Sequence, residues 1–91
     1  MDKEYYKGIL MMYGIIPVLS ALKYLENKEE YEECALIEST LVETEEVTGV
    51  KYPRKITTEL VREVREHYQN PENLNFYINL VLDDIEDVYG D

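Results

Sequence analysis

Between Val18 and Glu43 the chain carries two apolar stripes at helical spacing, parted only by the polar break Asn27-Lys28-Glu29. The first stripe is Val18, Leu19, Leu22 and Leu25. The second is Tyr31, Cys34, Ala35, Leu41 and Val42. Residues three and four apart share one face of a helix, so both stretches read as amphipathic helices. A connection this short leaves them no arrangement except as antiparallel neighbours. A central antiparallel helical hairpin is therefore the unit that the other segments must cover.

The flanking segments keep the helical period. Asp2 suits the N-cap of a first helix running to about Tyr13. Tyr5, Tyr6, Ile9, Leu10, Met12 and Tyr13 cover most of that helix, which therefore needs contacts on more than one side. Gly14 can end it, and Pro17 disfavours helical geometry at Ile16. These residues predict a bend near Gly14–Pro17, or one kinked helix continuing to Glu26. The second hairpin helix should fade near Val47, with Gly49 as its stop. Residues 49–55 lack helical periodicity and leave room for a short extended piece at Val50–Tyr52. Thr57 or Thr58 can cap a fourth helix with Leu60, Val61, Val64 and Tyr68 inside. Asn70-Pro71-Glu72 marks the next start. A last helix to about Tyr89 follows, striped by Leu74, Tyr77, Ile78, Val81, Leu82, Ile85, Val88 and Tyr89. The expected fold is all-α: one domain over residues 1–91, a compact bundle of four or five helices.

Charge narrows the function classes. Twenty acids stand against nine bases, a net charge of −11. Residues 1–50 carry −7, residues 51–71 carry +2, and residues 72–91 carry −6 with no base at all. Such a balance disfavours phosphate backbones and favours basic partners, so direct nucleic-acid binding is not expected. The apolar run Gly8–Leu22 is too short to span a bilayer and is interrupted by Pro17, so no membrane association is expected. Cys34 is the single cysteine. It permits no internal disulfide and suits a reducing, cytoplasmic setting.

Chemistry-bearing patterns are absent. Cys34 sits on an apolar stripe, where a thiol behaves as a small hydrophobe rather than a nucleophile. With His67 the only histidine, a zinc site would need carboxylates to complete it. Asp83-Asp84-Ile85-Glu86-Asp87 lacks the central glycine of a calcium loop and lies on a predicted helix. No glycine-rich phosphate cradle or nucleophile elbow occurs. The chain reads as a non-enzyme, with no cofactor and no metal.

Glu30-Tyr31-Glu32-Glu33-Cys34-Ala35, followed by Ile37 and Leu41 and preceded by Leu22, resembles the UVR motif. That motif is the helical hairpin of excision-repair nucleases and some protease adaptors. It departs at Glu38-Ser39, where the family usually has Arg-Asp, and at Glu26, where it has a small residue. UVR hairpins dock proteins, so the resemblance implies docking. By composition, the whole chain is similar to small acidic phage inhibitors of host defence, including DNA-mimicking anti-CRISPR proteins. The expected function is to bind and block a basic, nucleic-acid-binding surface of a partner protein. The carboxylates Glu29, Glu30, Glu32 and Glu33 at the hairpin turn are the candidate contacts. Tyr5, Tyr6 and Tyr13 join them, because nine tyrosines exceed what a small core can hold and tyrosine favours interfaces. Two other readings stand beside this one. One is a homo-oligomeric assembly module, with a homodimer through the apolar first helix. The other is a small-nucleotide sponge, formed between subunits around an anion site at Lys51, Arg54 and Lys55.

Overall fold

The computed structural model describes residues 1–67 and 72–90. Five helices follow one another: α1 Lys3–Tyr13, α2 Ile15–Asn27, α3 Tyr31–Thr48, α4 Thr58–His67 and α5 Glu72–Tyr89. No strand occurs among the described residues, so residues 50–52 form no extended pair. The interhelical cap proposed at Asn70-Pro71 and the inward position of Tyr68 lie outside the described residues.

Local chemistry sets the helix ends. The Asp2 carboxylate accepts the Tyr5 N–H at 2.9 Å and caps α1. Gly14, at φ 90°, breaks the chain between α1 and α2. The bend is thus a clean break rather than a kink in one long helix. Ile16 is helical despite preceding Pro17, contrary to the sequence expectation. In a continuous helix the proline ring meets the carbonyl four residues back. With the break at Gly14, that carbonyl belongs to α1, and Pro17 falls in the first turn of α2, where its missing N–H has no partner to lose.

The hairpin turn closes on two backbone bonds, Glu29 N–H to Glu26 O at 3.0 Å and Glu30 N–H to Leu25 O at 2.9 Å. This closure needs a left-handed residue, usually glycine. Here it is Glu29, at φ 60°. A side chain in that conformation costs about 1–2 kcal/mol. Glu29→Gly is accordingly expected to raise the unfolding free energy by about 1 kcal/mol, lifting the thermal midpoint by about 4–8 °C. Glu29→Gln keeps the strain and should leave the midpoint near that of the native protein. No gain from glycine in a calorimetric scan would contradict the assigned turn.

α2 lies at the centre and packs against α1, α3 and α5, while α1 also packs on α3. The core joins Tyr6, Ile9 and Leu10 of α1, Val18, Leu19, Ala21, Leu22 and Leu25 of α2, Ile37 and Leu41 of α3, and Val81 and Ile85 of α5. α4 buries no residue; Leu60 is its contact with the core.

Two faces differ from the sequence reading. On α3 the inward residues are Glu33, Ile37, Thr40, Leu41, Thr44 and Glu45. Tyr31, Ala35 and Val42 point outward instead, and Cys34 is half-buried. The reason is that the inner face is partly polar and satisfies itself. Thr40 and Thr44 each donate to the carbonyl four residues back, at 2.8 Å. On α5 the buried residues are Leu74, Val81 and Ile85. Tyr77, Ile78 and Leu82 are half-buried, and Val88 is exposed. One face of α5 meets α2, and Asn73, Asn75, Asn79, Asp83, Glu86 and Asp87 lie exposed on the rest of the helix.

Candidate functional site at the acidic end of the bundle

The four hairpin carboxylates do not form one set. Glu29 and Glu32 are exposed and Glu30 is half-buried, whereas Glu33 lies inside, one helical turn before Ile37. Glu33 accepts the Tyr6 hydroxyl at 2.6 Å, the Tyr89 hydroxyl at 2.7 Å and the Met1 ammonium at 2.9 Å. Burial alone would push its carboxyl up. The bonds from Tyr6 and Tyr89 and the Met1 charge outweigh that and hold it below the usual carboxylate range. Glu33 is therefore an anion with both oxygens taken by the protein's own donors. Burial, then the bond to Glu33, drives the Tyr6 phenol far above its ordinary value.

Tyr89 shows where the end of α5 sits. Its bond to Glu33 spans 56 residues of chain. Its phenol is pushed up to about 12, first by that bond, then by burial, and further by the charges of Glu33, Glu30 and Glu32. The last turn of α5, with exposed Glu86 and Asp87, thus stands against the hairpin turn. Two acidic clusters far apart in sequence become one acidic end. Cys34 lies beneath it; burial and then the carboxylates of Glu26 and Glu33 push its thiol up, the reverse of nucleophile activation.

No protein family, no curated protein and no solved structure matches this chain. The site is therefore described by its own chemistry.

The three tyrosines of α1 turn inward. Tyr6 is fully buried, so it offers no surface to a partner. Tyr5 is half-buried and donates to Asp84 at 3.0 Å, which carries the middle of the α5 acidic run against α1. Tyr13 stacks on Tyr77, with ring centroids 4.4 Å apart. The outward side of α1 is Glu4, Lys7, Met11 and Met12 instead. Tyrosine count alone hid this, because a buried phenol needs an acceptor and the acceptor, Glu33, looks in sequence like any other acid of its run.

Of the candidate anion-binding cations, Arg54 is already occupied. It pairs with Glu38 and, through two nitrogens, with both oxygens of Glu45, and it donates to the Tyr52 carbonyl at 2.8 Å. Together with the Tyr52 N–H donated to Glu45 at 2.7 Å, this ties residues 50–54 onto α3. Lys51 and Lys55 remain exposed. Arg54 and Lys55 border a groove of about 350 Å³ with Lys23, Glu26, Leu19 and Leu22; Lys51 does not line it.

The Glu45 carboxyl drops to about 2, chiefly through Arg54 and then the Tyr52 N–H, from an ordinary 4.5. A depressed folded value means that the proton binds the unfolded chain more readily, so the stabilisation exists above 4.5 and fades toward 2. Glu45→Gln should be less stable than the native protein near neutral pH by a constant margin. That margin should shrink as urea titrations move through this acid window. A margin independent of pH would show that Glu45 is not held by Arg54.

Proposed function

We propose that the acidic end binds and blocks, without chemistry, a basic nucleic-acid-binding surface of a partner protein. The convergence of the hairpin turn with the carboxyl end of α5 carries this reading. It brings Glu30 and Glu32 to the end of the bundle that carries Glu86 and Asp87, while Tyr89 and the Met1 ammonium both turn inward onto Glu33 and leave these other carboxylates to meet a partner. Like charges so gathered repel, and Glu29 adds backbone strain at the turn itself. Both features cost stability, and the repulsion is offset when a cationic surface meets these carboxylates. The field of such an end accelerates encounter with a basic surface. The same acidic balance is shared by phage inhibitors of host defence, and the likeness to a UVR hairpin fits a docking role.

The test uses the tagged protein on a host-cell lysate, with double-stranded DNA added after capture. The expected result is a captured basic protein that DNA releases, because both compete for one surface. Glu29→Gln with Glu30→Gln and Glu32→Gln, leaving Glu33 intact, should capture about tenfold less. Capture that survives both DNA and the triple substitution would contradict the reading.

A further inference from the structure

The outward side of α5 is more than a solvated acidic face. Phe76, Leu80, Asp83 and Asp87 are all exposed, Phe76 at 62%. Their spacing puts them on one stripe of the helix, about 17 Å long at 1.5 Å per residue. The first half of the stripe is apolar and the second half acidic. Phe76 is also held in place. Its ring meets Tyr77 edge-on, with centroids 5.8 Å apart, and Tyr77 stacks on Tyr13 of α1 at 4.4 Å. The exposed ring therefore stands on a packed aromatic base and has little freedom to lose on binding. Asn75 and Asn79 are exposed along one flank. An aromatic and aliphatic centre with a polar rim is the composition of a binding hot spot.

Charge decides what covers this face. α5 carries Glu72, Asp83, Asp84, Glu86 and Asp87 and no base. Among the described residues neither Asp83 nor Asp87 takes part in an ion pair or a side-chain hydrogen bond. A second copy laid face to face would set these acids against one another, so the stripe does not suit itself. A ridge such as Phe76–Leu80, four residues apart, fits the groove between side-chain rows of a neighbouring helix. The matching surface is thus a helix with an apolar turn at one end and lysine or arginine beyond it.

We propose that the outward face of α5 docks a basic amphipathic helix of the partner protein, with Phe76 and Leu80 seated on its apolar turn and Asp83 and Asp87 paired with its cations. This rests on the reading of the acidic end as a blocker of a basic surface, and it names the form of that surface. The acids speed encounter, and the apolar contact slows escape.

The probe is a labelled synthetic helix with leucine at one end of a face and lysine along the rest, titrated against the full chain by fluorescence anisotropy. Phe76→Ser is expected to weaken binding about tenfold and to leave its salt dependence unchanged, and Leu80→Gln to act in the same direction. Asp83→Asn with Asp87→Asn should weaken binding and flatten its salt dependence. All these side chains are exposed, so the variants should melt as the native protein does. A control peptide with serine for leucine should bind the native protein and Phe76→Ser alike. Phe76→Ser binding the leucine peptide as tightly as the native protein would overturn the proposal, and the acidic-end reading would stand if the triple hairpin variant still lost lysate capture. Conversely, peptide binding that depends on Phe76 beside lysate capture indifferent to DNA and to the triple substitution would keep the α5 face and sink the acidic-end reading. Light scattering that shows the native protein pairing and Phe76→Ser monomeric would give the face to a second copy and overturn the proposal too.

Discussion

Glu33→Ala is expected to lower the unfolding free energy by about 3–5 kcal/mol, the usual cost of removing one partner from a buried charged pair. The carboxylate is the shared acceptor of Tyr6, Tyr89 and the Met1 ammonium. Its removal strands the Tyr6 hydroxyl inside the core, where a lone polar group costs about 1–3 kcal/mol. It also releases the end of α5 from the start of α3. Against a total of roughly 5–15 kcal/mol, a large part of the molecule's stability is lost. Glu33→Gln keeps an acceptor and should cost less. Urea unfolding followed by helical circular dichroism gives the comparison. An alanine variant within 1 kcal/mol of the native protein, less than one stranded polar group costs, would show that the carboxylate does not hold these elements together.

Ile85→Asp should unfold the protein or leave it molten. Ile85 is fully buried on the face of α5 that belongs to the core. An unpaired carboxylate there costs several kcal/mol, beyond the loss of about 1.5–3 kcal/mol of apolar burial. Ile78→Asp and Leu82→Asp, chosen on the same stripe, should be milder, because both side chains are half-buried and their carboxylates can reach water. The loss of near-ultraviolet tyrosine signal with helical signal retained would mark the molten outcome. A cooperative native-like melt in Ile85→Asp would show that the α5 face is misassigned.

Much of the architecture was legible because helices announce themselves by period and punctuation. Asp2, Gly14, Gly49 and Thr57 each act where their chemistry placed them. The inward face of α3 was not legible, because hydropathy treats threonine and glutamate as outward. A different signal was present: Glu33, Ile37 and Leu41 recur every four residues, which aligns Glu33 with two core aliphatics. Arg54 was misleading in the opposite way. Its basic surroundings suggested an anion site, but its partners Glu38 and Glu45 lie a helix away and meet it only in the fold. The meeting of the hairpin turn with α5 likewise depends on Tyr89 reaching Glu33, a contact that no local pattern encodes.

The most direct measurement compares the association rate of the captured basic partner with the native protein and with the Glu29→Gln, Glu30→Gln, Glu32→Gln variant, across a salt series. The account predicts rapid native association that slows steeply with salt, slower and flatter association for the variant, and equal or greater thermal stability of the variant, since only exposed or half-buried carboxylates are neutralised. Native and variant rates that coincide at every salt concentration would contradict it.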